Sequence, residues 1–340
     1  MQEEFHSQPV SETVNAFPAA LDSRSEVRDP ASLNAESGTP SASASEPAAQ
    51  TIHVPVMLRE ILEALNPQPG QIIVDGTLGG GGHTRALAER VGKNGLVISL
   101  DRDPGAIERA EKSLKGLPII LAESNFSELQ EVLDEIKVEK VDGMMLDLGL
   151  SSDQLADRER GFSFNSDGPL DLRFNPNEGK PAYHLVNTMK EENLADLIFE
   201  YGEERFSRRI ARRIVEARRE KPIKTACELA EIVRRCVPRS PKETIDRATR
   251  TFQALRIAVN GEMQALEKIL REIPYCVKPG GKVAILSFHS LEDRRVKDAF
   301  REKSCYRIVN KKPILADTEE VARNPRSRSA KLRIAEIAEE

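Results

Sequence analysis

The feature that most constrains the fold is an apolar run that leads into four consecutive glycines. Residues 72–74 are apolar, Asp75 follows them, and the glycines extend from Gly79 to Gly82. A buried strand, a tight turn and a helix start would give this order, because glycine permits close backbone approach and a helix N-terminus attracts anions. The pattern predicts a strand–turn–helix unit whose turn can bind a carboxylate or phosphate group.

A second acidic residue follows at an informative distance. Asp101 ends the apolar run 96–100 and lies eighteen residues after His83. An acid roughly 20 residues beyond a glycine-rich turn binds ribose hydroxyls in nucleotide-binding sheets. Thr84 takes the place of the last glycine of the pattern G-x-G-x-x-G, so the motif indicates a nucleoside cofactor more strongly than NAD. A helix cap or a surface acid is the alternative role for Asp101.

The size and the cysteines of the chain restrict its class. A chain of 340 residues can bury a substantial core, and none of its apolar runs approaches the roughly 18 residues of a membrane helix. The four cysteines are scattered, without C-x-x-C spacing or a histidine at ligand spacing. We therefore expect reduced thiols in the cytoplasm, no metal site and no membrane association.

Acidic residues are concentrated at the start of the chain. Residues 1–50 contain eight acids and two arginines, whereas the remainder is near neutral with 48 bases and 47 acids. This first segment is rich in Ser, Ala, Pro and Glu and has no apolar period. It is predicted to be a disordered acidic extension. It has neither the apolar middle of a signal peptide nor the acid-poor composition of a transit peptide.

Strands and helices alternate along most of the remaining chain. Strands are predicted at 72–75, 96–100, 118–122, 143–146, 283–288 and 332–337, the last of them able to run antiparallel. Helices are predicted at 58–65, 84–91, 104–115, 126–136, 266–273 and 292–302. Residues 155–250 break the alternation with helices and loops only. We predict a doubly wound α/β core from residues 51–154 and 251–340, with a helical insertion at 155–250.

Polar residues collect where the predicted strands end. In a doubly wound sheet the ligand lies beyond the carboxyl ends of the strands. Four such ends carry acids or small polar residues, namely Asp75 with the glycines, Asp101, the turn at 147–152, and residues 287–290. Asp75 could instead only hold the glycine turn in shape. The convergence of these ends predicts one site at a single edge of the sheet.

Nine ordered motifs carry a resemblance to a known family. They lie at residues 75–83, 101–104, 146–152, 160–164, 168–173, 201–205, 249–256, 287–293 and 324–333. In this order they resemble the bacterial MraW family, which methylates N4 of a cytidine in the decoding region of 16S rRNA using S-adenosylmethionine. The resemblance implies a class I S-adenosylmethionine-dependent methyltransferase with a Rossmann-like sheet, in which the insertion recognises RNA. The implied partner is 16S rRNA or the small ribosomal subunit, and the sequence leaves a homodimer open.

The resemblance also implies cofactor contacts. Gly81, Gly82 and His83 would contact the methionine end, Asp101 would hold the ribose, and Phe126 would lie beside the adenine. The implied set is Gly81, Gly82, His83, Asp101, Phe126, Asp147 and Gln154. Judged alone, His83 is a polar residue at a helix start and Phe126 an ordinary core residue, so their site roles depend on the resemblance.

Transfer to a cytosine amine suggests three catalytic candidates. The N4 lone pair is delocalised into the ring, and a hydrogen-bond acceptor would favour the pyramidal form that can attack. Asp147 and Ser151 are the candidate acceptors, and His289 is a third candidate that could instead be a satisfied histidine beside the sheet. Holding the reactants in line would supply most of the rate. The base must be unstacked, and Phe162 and Phe164 either stack on it or anchor the insertion.

Two basic clusters are candidates for RNA contact. The first lies in one short helical stretch and comprises Arg205, Arg208, Arg209, Arg212, Arg213, Arg218, Arg219 and Lys221. It could follow a phosphate backbone, and the alternative is a solvated helix with salt bridges to nearby glutamates. The second comprises Arg323, Arg326, Arg328, Lys331 and Arg333, for which a flexible tail end is the alternative.

Three other functions compete with this prediction. DNA amino-methyltransferases usually present a carboxylate or amide followed by two prolines and an aromatic residue, whereas Asp147 is followed by Leu-Gly-Leu. The broken glycine pattern and the turn at 278–281 both argue against a dinucleotide-binding regulator. An RNA-binding assembly factor would keep the fold without the chemistry, and only an activity assay separates it from an enzyme.

Overall fold

One mixed sheet carries the α/β part of the protein. A computed structural model describes residues 54–164, 167–239 and 245–339, so the predicted extension at 1–50 lies outside the described residues. The strands are β1 (Ile72–Asp75), β2 (Leu96–Asp101), β3 (Ile119–Glu123), β4 (Val141–Asp147), β5 (Val277–Ser287), β6 (Tyr306–Ile308), β7 (Ile314–Leu315) and β8 (Lys331–Ile337).

Helices precede, follow and interrupt these strands. The α-helices are α1 (Leu58–Leu65), α2 (Gly82–Val91), α3 (Pro104–Ser113), α4 (Leu129–Glu135), α5 (Ser152–Ala156), α6 (Ala182–Thr188), α7 (Glu191–Gly202), α8 (Ser207–Glu220), α9 (Ala226–Cys236), α10 (Thr249–Asn260), α11 (Glu262–Cys276), α12 (Ser290–Glu302) and α13 (Thr318–Arg323). Short 3-10 helices lie at Phe126–Glu128, Arg158–Arg160 and Pro325–Ser329. Within the described ranges, none of the helices combines the length and the apolar character needed to cross a membrane.

The sheet has the topology of a doubly wound fold. Its strand order is β3-β2-β1-β4-β5-β8-β6, and β7 also pairs with β8. Within the group β1 to β5, every pair of neighbouring strands is parallel. The last strand, β8, runs antiparallel to β5 and β6. The predicted parallel sheet and its antiparallel last strand are confirmed, and the winding reverses between β1 and β4, which opens a crevice at their carboxyl ends.

Both faces of the sheet are buried. Val74 and Leu146 pack on one face against α4 and α11. Their chain neighbours Ile73 and Met145 pack on the other face against α1 and α2. Successive strand residues point to opposite faces, so strands that are apolar at nearly every position require helices on both sides. This requirement explains why the central strands read as continuous apolar runs.

Local capping sets several helix starts. The Asp103 side chain accepts a hydrogen bond from Gly105 N at the start of α3, where Pro104 occupies the first turn. A reciprocal capping box between Thr225 and Glu228 opens α9. The sequence predicts both caps, from Asp103 before Pro104 and from the spacing of Thr225 and Glu228, and the structure confirms them. The sequence also predicts a capping box at 240–243, which lies outside the described residues.

Two predicted boundaries differ from the structure. The helix predicted at 126–136 begins as a 3-10 turn, because Asn125 caps that turn, and continues as α4. The turn predicted at 278–281 lies within β5, where the pairing with β4 shifts from Val141 opposite Val277 to Gly143 opposite Lys282. A shift of this kind accommodates extra residues in one strand without ending the ladder.

Residues 155–250 build an apolar core of their own. Helices α6 to α9 lie in this segment, and buried residues such as Leu194, Ile214 and Leu229 form one cluster that extends into α10. An isolated antiparallel bridge joins Pro169 to Thr225. The described part of the segment is helical as predicted, whereas the domain limits at 154 and 251 stay a prediction.

We expect Gly76→Ala to destabilise the protein. A Cβ atom at position 76 would lie 2.5 Å from Leu146 Cδ2 and 3.2 Å from Phe126 Cβ, which leaves no room for a methyl group. Overpacking of this kind costs about 1–3 kcal/mol of the free energy of unfolding. Urea-induced unfolding followed by circular dichroism measures the difference.

Gly105→Ala is the matched control. A Cβ atom there meets the flexible end of Arg109 at 3.0 Å and the side chain of Asp103 at 3.3 Å, and the residue lies in the first turn of α3. Alanine in a helix is favoured over glycine by roughly 0.5–1 kcal/mol, so this variant should be as stable as the wild type or more stable. Equal stability of the two variants would contradict the close approach at Gly76.

Candidate active site

A cleft lies at the carboxyl ends of β1, β2 and β4. Its volume is about 920 Å³, including the space open to solvent at its mouth. Most of the predicted cofactor-binding residues line it, together with the catalytic candidate Ser151; they are Gly82, His83, Asp101, Phe126, Asp147 and Gln154. The structure therefore brings these residues to one place, at the winding reversal where a doubly wound sheet binds its ligand.

The glycine turn presents the start of α2 to this cleft. Gly81 is the N-cap of α2, with a left-handed φ of 76° that favours glycine. Gly82 is next in the chain and lies close to Pro55. A Cβ atom at position 82 would lie 3.0 Å from Pro55 Cγ. The first N–H groups of a helix have no partner within the helix. The turn therefore offers backbone donors to an anionic group in the cleft.

Asp75 holds the glycine turn rather than lining the cleft. Its Oδ1 accepts from Thr77 N at 3.1 Å, and its Oδ2 accepts from the Thr84 hydroxyl at 2.7 Å. Thr84 also lies 2.8 Å from Ser99 Oγ, which ties the turn to β2. Burial raises the pKa of Asp75 to about 6, with His83 and these hydrogen bonds opposing the shift. Of the two roles open to Asp75, the structure shows support of the turn.

Asp101 links the glycine turn to the loop after β2. Its Oδ2 accepts from Gly79 N at 2.8 Å, and its Oδ1 accepts from Asp103 N at 2.9 Å. Burial raises the pKa of Asp101, although both backbone hydrogen bonds act against that shift. Each carboxylate oxygen keeps a second lone pair, so Asp101 can still accept hydrogen bonds from a diol. It combines a structural role with a position on the cleft wall.

Ser151 and Gln154 form a capping box at the start of α5. Ser151 Oγ accepts from Gln154 N, and Gln154 Oε1 accepts from Ser151 N, each at 3.1 Å. The side-chain nitrogen Nε2 of Gln154 donates to Asp103 Oδ2 at 3.2 Å. Gln154 is thus held in place by the first turn of its own helix and by the loop after β2. The Ser151 hydroxyl retains its proton for donation to a ligand.

Asp147 is a carboxylate at the end of β4 with one unused oxygen. Its backbone N–H donates to Thr77 Oγ1 at 2.6 Å, which fixes the strand end opposite the glycine turn. Its Oδ1 is buried and has no hydrogen-bond partner among the described residues. Burial raises the pKa of Asp147 to about 7, with Arg326 opposing and Glu292 supporting the shift. A carboxylate in a cleft with a buried oxygen that lacks a partner is typical of a functional group.

His83 lies behind Asp147. Its Nε2 is 2.9 Å from Val56 O, and its Nδ1 is 3.8 Å from Asp147 Oδ2. Burial lowers the pKa of His83, while Asp75 and the Val56 hydrogen bond act in the opposite direction. The side chain is 5% exposed, so the imidazole is a wall element that faces the carboxylate rather than the solvent.

His289 caps α12 and lies on a second cleft. Its Nδ1 accepts from Glu292 N at 3.4 Å, and its Nε2 is 3.1 Å from Glu292 Oε1 without hydrogen-bond geometry. The second cleft, of about 1000 Å³ with its open mouth included, adjoins the first and shares Leu150 and Arg326 with it. The structure gives His289 a capping role, and its catalytic role stays a prediction.

Carboxylates near His289 are balanced by an arginine. Glu262, His289 and Glu292 are the described residues whose potential metal-ligand atoms lie within 4.8 Å of one another. Arg256 donates two hydrogen bonds of 2.8 Å to Glu262, which compensates its charge. Burial alone would raise the pKa of Glu292, but His289 and Arg256 hold it below its usual range. The group forms an ion-pair network, and the absence of a metal stays a prediction.

Arg326 is a cleft residue that the sequence did not single out as one. It donates to Ser152 Oγ at 2.6 Å and to Leu150 O. Its positive charge also interacts with the Asp147 carboxylate. The C-terminal basic cluster is not one surface, which corrects that expectation. Lys331 and Arg333 belong to β8, and both pair with Asp293, at 3.2 and 2.6 Å. Arg326 differs from its basic neighbours only in its tertiary contacts, so no sequence pattern identifies it as a cleft residue.

Fold and cleft together define the class of the protein. A doubly wound sheet with the reversed strand β8 between β5 and β6, and a glycine-lined helix start at the winding reversal, is the architecture of class I S-adenosylmethionine-dependent methyltransferases. The MraW methylase family matches residues 50–338. The chain belongs to that family, as its ordered motifs predict.

Relatives that share one name cover most of the chain. A ribosomal RNA small subunit methyltransferase H from Rhodopirellula baltica is 49% identical over 316 residues, which are 90% of this chain and 97% of that protein. The protein of that name from Deinococcus deserti is 49% identical over 286 residues, covering 84% and 93% of the two chains. The one from Geobacter sulfurreducens is 47% identical and covers 84% and 98%.

The buried Asp75 predicts a specific pH dependence of stability. Its pKa rises from 3.8 to about 6 in the folded protein, so the folded state binds more protons than the unfolded state between those values. Stability should therefore fall as the pH rises through this interval. We expect the difference in unfolding free energy between the wild type and Asp75→Asn to fall by about 2–3 kcal/mol across it.

Urea unfolding at several pH values measures this difference. A pH-independent difference for Asp75→Asn would refute the raised proton affinity of this carboxyl group.

Proposed function

We propose that the protein transfers the methyl group of S-adenosylmethionine to N4 of a cytidine in the decoding region of 16S rRNA. The observation that carries the proposal is Asp147, an acid at the end of β4 with one buried oxygen that has no hydrogen-bond partner among the described residues. The names of the relatives support an rRNA of the small subunit as the substrate. The cytosine amine and the decoding region are the parts that the motif resemblance adds.

The residues that line the cleft suit the chemistry of S-adenosylmethionine. The N-terminus of α2 suits the methionine carboxylate, Asp101 suits the ribose diol, and Phe126 with Leu266 offers an apolar wall for the adenine. Gln154 and Asp147 would complete the contacts. When bound, the cofactor supplies an electrophilic methyl group.

Asp147 suits the chemistry of an exocyclic amine. As a carboxylate it can accept a hydrogen bond from N4 and favour the pyramidal form of nitrogen whose lone pair is free to attack. With the pKa of Asp147 raised to about 7, the reactive carboxylate form gains population as the pH rises toward and past neutrality. Ser151 lies in the same cleft and can donate to the base or the ribose.

The second cleft is our proposed site for the unstacked base. It adjoins the cofactor cleft and is lined by Phe162, Phe164 and Phe252. Phe162 is 5% exposed and stacks on Phe174 with ring centroids 5.9 Å apart, which favours the anchoring role. Phe164 meets Phe252 edge-on at 5.6 Å and is only partly buried, so it is the better stacking candidate.

The basic face of α8 is our proposed contact for the RNA backbone. Among the described residues, Arg208 and Arg209 are exposed and have no acidic partner within ion-pair distance. Arg212 and Arg213 pair with glutamates, at 3.7 and 2.8 Å. Arg218 donates to Val186 O and Met189 O and is structural, which corrects its place in the predicted face. A smaller unpaired patch than predicted therefore supports phosphate binding.

A methyl-transfer assay tests the proposal. Labelled methyl transfer to 30S subunits and to naked 16S rRNA, both lacking the modification, should give N4-methylcytidine by nucleoside mass spectrometry. Asp147→Asn should reduce the single-turnover rate about 100-fold or more, because it removes the proton acceptor while keeping the shape. Its affinity for the cofactor, measured by calorimetry, should change far less.

Asp153→Asn is the control for that variant. Asp153 lies in α5 beside the cleft and pairs with Arg109 at 3.3 Å, so its substitution should leave transfer near the wild-type rate. Methyl transfer to DNA would overturn the proposed substrate. So would a lack of transfer to either RNA while cofactor binding is intact.

A double substitution tests the RNA contact. Arg208→Gln with Arg209→Gln should weaken rRNA binding at low salt. The slope of log affinity against log salt should become shallower by about 1 for each phosphate that the variant no longer neutralises. The exposed pair Arg90→Gln with Lys93→Gln, at the end of α2, removes the same charge elsewhere. Equal weakening in the two double variants would mean that net charge, and not the α8 surface, governs binding.

A further inference from the structure

The hydrogen bonds around His83 fix which of its nitrogens is free. A carbonyl oxygen can only accept, so His83 Nε2 carries the proton that it donates to Val56 O at 2.9 Å. In the neutral imidazole the lone pair is then on Nδ1, which faces Asp147 Oδ2 at 3.8 Å. The 3.8 Å separation is an ion-pair distance and not a hydrogen bond, so a proton on either atom would make this contact attractive and draw the two side chains together.

We propose that His83 and Asp147 act as one proton-accepting pair, which takes up the proton that N4 loses when it is methylated. The inference rests on the proposed function and deepens it. Each turnover forms a bond from N4 to the methyl carbon, breaks the carbon–sulfur bond with its electron pair staying on sulfur, and releases one N4 proton. That proton passes to the Asp147 carboxylate, and His83 Nδ1 accepts a hydrogen bond from it once the two side chains close from 3.8 Å.

The segment before α1 keeps the imidazole in this orientation. Met57 N donates to Glu320 Oε1 at 2.6 Å, and Val54 O accepts from the Asn324 amide at 3.0 Å. Pro55 packs against Gly82, directly before His83. Val56 O is therefore held on both sides, so Nε2 stays a donor and Nδ1 stays the acceptor.

The charges around His83 allow it to take up a proton when its surroundings change. Burial lowers the pKa of His83, whereas the carboxylates of Asp75 and Glu320 raise it. Asp75 is itself fully buried and holds the glycine turn, so its effect on the imidazole is not screened by water. Opposing effects therefore act on the pKa of His83, and a further charge in the cleft can decide whether the imidazole is protonated.

The charges around Asp147 act on the same proton. Burial raises the pKa of Asp147, Arg326 lowers it, and Glu292 raises it. A protonated His83 would form an ion pair with Asp147 Oδ2, while the partnerless Oδ1 stays available to accept a hydrogen bond. The pair as a whole can therefore hold one proton near neutral pH, with the apparent affinity belonging to both residues.

The cofactor's charge sets when the pair is protonated. S-adenosylmethionine carries a sulfonium cation and S-adenosylhomocysteine does not. A cation in the cleft that both residues line disfavours a further positive charge on the pair, and the neutral product removes that repulsion. The pair is thus ready to accept a proton before transfer and holds it afterwards.

Calorimetric binding of both compounds as a function of pH tests the pair. For the wild type, S-adenosylmethionine affinity should rise up to about tenfold per pH unit through the apparent pKa of the pair, while S-adenosylhomocysteine affinity changes much less. His83→Gln keeps a donor for Val56 O and removes the Nδ1 acceptor. Its inflection should move to lower pH by about one unit or more. A profile that superimposes on the wild type would overturn the inference.

A control variant and a second readout protect this test. His184→Gln, in α6, should leave the wild-type profile unchanged. In the wild-type protein, the ¹⁵N chemical shift of His83 Nδ1 should show more protonation in the S-adenosylhomocysteine complex than in the S-adenosylmethionine complex at equal pH. Equal protonation in the two complexes would refute the pair.

Neither measurement uses RNA. Failure of methyl transfer to rRNA, with the pH linkage intact, would therefore refute the proposed substrate alone.

Discussion

Two carboxylates that accept hydrogen bonds from the glycine turn and the start of α2 support the whole site. Asp75 binds Thr77 N and the Thr84 hydroxyl, and Asp101 binds Gly79 N. The turn has few side chains with which to hold itself, so the acids at the ends of β1 and β2 replace the contacts that glycine lacks. Their burial raises both pKa values, which means that part of their stabilising effect is offset by desolvation.

A consequence of this arrangement is that negative charge gathers at one edge of the sheet. Asp147 and Glu292 arrive there from β4 and α12, and Arg326 arrives from the 3-10 helix before β8. Burial is the largest cause of the raised pKa of Asp147, with Glu292 adding to it and Arg326 opposing it, whereas His289 and Arg256 lower the pKa of Glu292. Asp147 is therefore the acid of this group that holds a proton more tightly than usual.

Local patterns predicted the parts of the site that depend on a few neighbouring residues. The glycine turn, the acids at strand ends and the caps at Asp103 and Thr225 follow from spacing alone, and the structure confirms their positions. Arg326 and Glu292 could not be found this way, because their role arises only when residues from distant parts of the chain meet. The same holds for Arg218, whose partners Val186 O and Met189 O turn an apparently exposed charge into a structural one.

The segment at 155–250 cannot be separated from the cleft by simple removal. Arg160 lies 3.4 Å from both oxygens of Asp103 and donates to Phe174 O at 2.6 Å. Asn260 accepts from Phe174 N at 2.7 Å, so Phe174 is fixed on the cleft wall from two directions. Phe174 belongs to this segment and lines the cleft, so removal of the segment would also remove part of the cleft wall.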